Sequence, residues 1–170
     1  LNSFFNYITK ADFSTLRGNM EEYTEKVIDQ RSGRHVTIAH ERLRSLQEVV
    51  IANFLYMNGI EYTYEKVYPY NILRSYKPYT PDFTIAQGDK IAYIEHFGIT
   101  EDGRNNRYTE EQLTTYKRVI NDKVLLHRQH DTDLICTFSA YTDGRDLLVH
   151  LQDELISHGF ELKKRSSKEI

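Results

Sequence analysis

The sequence predicts an α/β domain, a mixed β-sheet flanked by helices, preceded by an N-terminal helical arm. Two observations carry that prediction. Apolar residues recur at helical spacing in two long segments, about residues 38–58 and 109–127. Short alternating or apolar runs, bounded by Gly, Pro and Asp, lie between and after them. The resulting order, α-βββ-α-β-α with a short last strand, is that of a sheet covered by helices.

Residues 1–35 are polar and punctuated only by Gly18 and the Arg31-Ser32-Gly33-Arg34 stretch, so they read as the helical arm. The main domain is expected over residues 36–165, with a basic tail at 166–170. Leu43, Leu46, Val50 and Phe54 set the phase of a helix from Ile38 to Asn58, and Asn58-Gly59 is a stop signal. Ile60–Tyr68 alternates and reads as a strand. A Tyr/Pro-rich loop runs to Pro81, followed by strands at 82–86 and 91–97 joined by Gln87-Gly88-Asp89. After the polar stretch 100–107, Thr109 caps a second long helix, with Glu110 and Glu111 in its first turn. Leu134–Phe138 is an apolar strand, Leu147–Ser157 a third helix stopped by Gly159, and Phe160-Glu161-Leu162 a last strand.

A chain of 170 residues suffices for one core. A net charge of −3 and a pI near 6.2 exclude an overall basic nucleic-acid binder, so any such contact needs a local patch. No segment has the length of a membrane span, and Leu1-Asn2-Ser3-Phe4-Phe5 lacks the features of a signal peptide. The lone Cys136 lies in an apolar run and reads as a small buried hydrophobe, which fits a cytoplasmic protein. With no initiator methionine, the chain reads as a piece of something longer or as the product of tag removal.

The chemistry is expected at three acids. Glu48 falls on a helix, Asp82 follows a proline at a strand start, and Glu95 lies near the end of the next strand. Carboxylates on neighbouring strands can converge on Mg²⁺ or Mn²⁺, with Glu48 joining from a helix packed on the sheet. The cation lowers the pKa of water and neutralises phosphate oxygens. A lysine assists by orienting the water and stabilising developing negative charge. Two residues after Glu95, on the same strand face, stands Phe97, which cannot do this. On the second long helix, however, Gln112, Tyr116, Val119 and Lys123 fall within a narrow arc, with His127 one turn beyond. Lys123 is therefore the expected relocated lysine.

Glu48, Pro81-Asp82, Glu95 and the displaced Lys123 resemble the PD-(D/E)XK nuclease superfamily, which implies a restriction-endonuclease-like fold. Gln112 and Tyr116 resemble the Gln-x-x-x-Tyr motif of its RecB-type members. Further strings resemble a segment of helicase IV-type, UvrD/Rep-like superfamily 1 DNA helicases, over roughly residues 36–160. They include Ser45-Leu46-Gln47-Glu48, Asn58-Gly59-Ile60, Pro81-Asp82-Phe83, Ile94-Glu95-His96-Phe97-Gly98 and Leu134–Ser139. The resemblance implies a DNA nuclease domain, with Asp82, Glu95 and Glu48 as metal ligands, Lys123 as transition-state stabiliser, and Gln112 and Tyr116 positioning DNA or the lysine. The implied partners are DNA and the ATPase/helicase domains of a parent chain. This chain has no Gly-x-x-x-x-Gly-Lys-Ser/Thr loop and is not a motor by itself. The competing expectation, motivated by Phe97, is a non-cleaving DNA-binding or interaction module that keeps the fold.

Arg104, Arg107 and Lys117 are the expected DNA contacts, with Arg74 and Lys77 as further candidates; scattered solubilising charge is the bland reading. Tyrosines 62, 64, 68, 70, 76 and 79 could stack on bases, but most are expected to pack between strands and under the loop. His96 and His127 read as satisfied core or surface histidines rather than ligands.

Overall fold

The computed structural model describes residues 28–29, 34–70 and 78–166. The chain divides into two compact units, residues 1–60 with 162–170, and residues 61–161.

In the first unit, β1 (Ile28–Asp29), β2 (Arg34–Val36) and β3 (Arg42–Leu43) form an antiparallel sheet in that order. β1 and the start of β2 fall where the arm was expected to be helical, and β3 falls within the span expected to be the first long helix; the rest of the arm, residues 1–27 and 30–33, lies outside the described residues. The helix expected from Ile38 begins instead at Leu46, as α1 (Leu46–Met57). Thr37–His40 closes a turn, with the His40 amide donating to the Thr37 carbonyl at 3.0 Å and His40 at φ 63°. A helix cannot pass through that left-handed residue. Ser45 then caps the helix, its hydroxyl accepting from the Glu48 amide at 3.2 Å. Leu43 is buried from a strand, so its helical spacing to Leu46 is coincidental. Glu48 to Leu55 are all buried, which makes α1 a helix covered on every side. Its end is a Schellman motif, in which the Gly59 amide donates to Tyr56 and the Ile60 amide to Leu55, with Gly59 at φ 68°. The segment after Leu162 runs along this end, as Lys163 and Arg165 amides donate to the Asn58 and Met57 carbonyls.

The second unit is a mixed sheet of order β4-β5-β6-β7. β4 (Glu61–Tyr64), β5 (Phe83–Gln87) and β6 (Lys90–Thr100) pair antiparallel; β7 (Asp133–Ala140) lies parallel to β6. β4 stops before Tyr68, where its alternation predicted it to run, because Glu65 turns left-handed at φ 50°. The hairpin closes through Gly88 and Asp89 between the paired Gln87 and Lys90, with Gly88 at φ 60° as a type II′ turn requires. A parallel pair needs a crossover, here α2 (Glu110–Gln129). α3 (Leu147–Ser157) follows β7 and packs along it, burying Leu147, Leu148, Leu151 and Leu155.

The last strand expected at 160–162 does not form. The Gln87 side chain takes the place of a ladder there, accepting from the Glu161 amide at 2.7 Å and donating to its carbonyl at 2.8 Å. Residues 71–77, with Arg74, Tyr76 and Lys77, and 167–170 in the tail lie outside the described residues. No helix among the described residues is long and apolar enough to cross a membrane.

Candidate active site

The site grows from one coincidence of repeat lengths. Along β6, residues on one face recur about every 6.6 Å. Along α2, four residues climb about 6 Å. Because α2 runs back over β6, Tyr93 and Glu95 meet His127 and Lys123 step for step, and Phe97 meets Ile120 and Tyr116 in the turns of α2 that precede Lys123. The His127 ring lies 5.0 Å from Tyr93, the Lys123 ammonium 2.6 Å from Glu95 Oε2, and the Tyr116 ring edge-on to Phe97 at 6.4 Å. Leu113, Ile120 and Phe138 complete the apolar floor around Phe97. The helix face turned to the sheet is therefore Leu113, Tyr116, Ile120, Lys123 and His127. Val119, expected on that arc, is exposed.

Asp82 reaches the same face from the start of β5. Phe83 pairs with Ile94, so Asp82 stands opposite Glu95. Facing residues of an antiparallel pair share a face, with Cβ atoms about 5 Å apart. Asp82 Oδ2 accepts from the His96 amide at 2.7 Å, where the strand pairing runs out, and this fixes the carboxylate over the hairpin.

Glu95 is 1% exposed, and a carboxylate so buried requires donors. It has two. Lys123 Nζ donates to Oε2 at 2.6 Å and the Tyr79 hydroxyl to Oε1 at 2.7 Å. Since Tyr79 gives its one proton to Glu95, its oxygen must accept from His127 Nε2, 3.1 Å away. That fixes the neutral tautomer, and Nδ1 then accepts from the Thr132 hydroxyl at 2.8 Å. The Tyr68 hydroxyl, 2.6 Å from Thr132, donates in turn. Four donors thus point in one direction, from Tyr68 through Thr132, His127 and Tyr79 to the carboxylate. The end of α2 builds this chain, because Asp131 at φ 52° turns the backbone so that the Thr132 amide donates to the His127 carbonyl at 3.0 Å.

The electrostatics agree. Burial, then the Lys123 charge and His130, lower His127 to about 4, so it is neutral near pH 7. Burial, then the Glu95 charge, push the Tyr79 hydroxyl well above its ordinary range, so it keeps its proton. Tyr116 is also raised, chiefly by burial, while its oxygen accepts from the Gly98 amide at 3.2 Å.

The arrangement thus joins Asp82, Glu95, Lys123 and Tyr116 within one unit. Gln112 serves the helix start instead. Its side chain accepts from the Thr109 amide at 2.8 Å and closes a capping box at the head of α2. Glu48, 8% exposed, belongs to the first unit, where its Oε2 accepts from the Arg44 amide at 3.2 Å. Arg104 is engaged with Asp102 inside its own loop, at 2.6 Å through Nε. Arg107 and Lys117 are exposed, and the Lys117 chain passes over Gly103. His96 Nδ1 lies 3.0 Å from the Thr137 hydroxyl, as expected of a satisfied histidine. Cys136 is partly buried in register with Glu95, and burial pushes its thiol up to about 11.

Sequence reasoning missed Tyr79, Thr132 and Tyr68 as parts of the site. The available signal was the rule that a buried Glu95 must have donors; nothing in the spacing said which. Among the described residues, no cluster of three or more His, Cys, Asp or Glu side chains is placed to hold a metal. Asp82 and Glu95 still offer hard oxygen donors from adjacent strands. Each Glu95 oxygen has two lone pairs, and one hydrogen bond apiece leaves the second. Two carboxylates fit Mg²⁺ or Mn²⁺, which retains several waters.

No family model matches the chain, and no solved structure matches it. It is similar to an uncharacterized protein of Methanocaldococcus jannaschii, 34% identical over 84 residues. That stretch is 49% of this chain and only 7% of the archaeal protein, so the chain matches a small fraction of its relative's length.

Proposed function

We propose that this chain is a metal-dependent DNA phosphodiesterase module of restriction-endonuclease-like fold, part of or allied to a helicase IV-like protein. The observation that carries the reading is the Lys123 ammonium, 2.6 Å from Glu95, with Asp82 facing Glu95 across the hairpin. Two acids and a lysine on one sheet face are the minimum for this chemistry, and the element order α-βββ-α-β supports it. A divalent cation on Asp82 and Glu95 would neutralise phosphate oxygens and make water more acidic. Lys123 has three donors, and one is spent on Glu95. The other two can orient an attacking water and meet charge developing on the phosphate. Tyr79 and its relay hold Glu95 in place, and Phe97 and Ile120 close the floor against water. In a helicase IV-like setting, the ATPase domains would lie elsewhere in the parent protein.

The test is cleavage of single- and double-stranded DNA with Mn²⁺. Asp82→Ala and Glu95→Ala should each lower the rate by about 10²–10³-fold. Cleavage that survives both substitutions overturns the assignment.

A second reading, a non-cleaving DNA-binding module, is favoured by one observation, that both Glu95 oxygens already accept hydrogen bonds. It predicts salt-sensitive DNA binding without turnover.

A further inference from the structure

We propose that Tyr108, stacked on Tyr116, is a platform for an unpaired nucleobase, so that the strand this site takes is single-stranded. The inference deepens the nuclease reading and rests on it for its setting. The Tyr108 and Tyr116 rings lie 5.9 Å apart at 23°, an offset stack. Tyr116 is anchored beneath, by the Gly98 amide on its hydroxyl and by the edge of Phe97. Tyr108 itself is 41% exposed, a large ring at the surface.

Its backbone is fixed from both sides. The Tyr108 amide donates to the Asn105 carbonyl at 3.2 Å, and Asn105 is tied to β6 through its side-chain amide on the Gly98 carbonyl at 2.5 Å. On the other side stands Thr109, the cap of α2. A ring held this firmly loses little freedom when a ligand stacks on it. Arg107, exposed beside it, supplies a cation for a phosphate.

The platform also points somewhere. Phe97, Tyr116 and Tyr108 form a run of rings from the interior to the surface, and the Lys123 ammonium lies 5.7 Å over the Phe97 end. A base on Tyr108 would direct its strand along this run of rings toward Lys123. Aromatic stacking takes any base, provided its face is free. Bases inside a duplex are stacked on one another and have no free face.

The test is fluorescence anisotropy of the full chain in EDTA, where no cleavage intervenes. The probes are labelled oligothymidylate, the same strand with abasic sugars, and a duplex of equal length. Tyr108→Ala should weaken oligothymidylate binding about 5- to 100-fold, and Tyr108→Phe should retain it. The abasic strand should bind wild type as weakly as oligothymidylate binds Tyr108→Ala, and duplex binding should not change. Unchanged affinity in Tyr108→Ala, equal binding of the abasic strand, or no binding by wild type overturns the platform. Tyr108-dependent binding without Mn²⁺-dependent cleavage sinks the nuclease reading alone. Cleavage with Tyr108-independent binding sinks the platform alone.

Discussion

Glu48 and Glu95 are both buried acids, and they are stabilised in opposite ways. Glu48 lies in the third position of α1, and one donor to it is the backbone amide of Arg44, four residues earlier. The helix start supplies that donor and a favourable dipole besides. Glu95 lies mid-strand, where its backbone is occupied by the ladders and no local donor exists. Its partners come from 16 and 28 residues away, Tyr79 from the loop before β5 and Lys123 from the crossover helix. A donor four residues away can be explained by helix capping. An acid held by two distant side chains requires the tertiary fold to gather them, and that is the arrangement expected of a working site.

The largest effect should follow removal of the distant partner. Lys123→Ala leaves the buried Glu95 carboxyl with Tyr79 as its remaining side-chain donor. Breaking a buried pair in this way costs about 3–5 kcal/mol. Urea unfolding checks it, and a loss no larger than that of an exposed lysine would remove the contrast with Glu48.

The relay gives a smaller effect with a defined pH window. His127 is lowered to about 4 from 6.5, so the unfolded chain binds its proton first as the pH falls. Its contribution is complete above pH about 6.5 and is lost as the pH falls toward about 4, on the order of 3 kcal/mol in all. The groups around it are Tyr68, Tyr79, Tyr93, Lys123, His130 and Thr132. In His127→Gln the acid limb of the stability curve should be shallower than in wild type; an identical limb would show that another group sets it.

The smallest change belongs to Glu48. Glu48→Gln keeps an acceptor for the Arg44 amide and removes the negative charge from the helix start. Thermal unfolding should register about 0.5–1 kcal/mol. A loss as large as that of Lys123→Ala would mean that Glu48 carries more than a cap.

The second unit is legible in the sequence to within a few residues. The hairpin at Gly88-Asp89, the crossover helix from Thr109 and the strand at Leu134–Phe138 each carry strong local signals, namely a turn glycine, an N-cap and an apolar run. The first unit is harder to read because those signals are weaker. Leu43 falls into helical phase by chance, and the left-handed turn at His40 has no glycine to announce it. Lys123 can be found because helix phase is periodic and survives without knowledge of the fold. Gln112 falls in the same arc, but its proximity to Thr109 is the better signal, and it is a cap.

What the sequence determined by itself is therefore periodic or local: the hairpin, the crossover helix, the strand after it and the third helix in residues 61–161, and that Asp82, Glu95 and Lys123 are candidates. What only the tertiary structure decided is which donors Glu95 receives. Tyr79, His127, Thr132 and Tyr68 are joined by hydrogen bonds across as many as 64 residues. No spacing rule encodes such bonds. They arise because α2, running back over β6, sets His127 and Lys123 beside Tyr93 and Glu95, within reach of Tyr79 from the loop before β5 and of Thr132 just past the helix end.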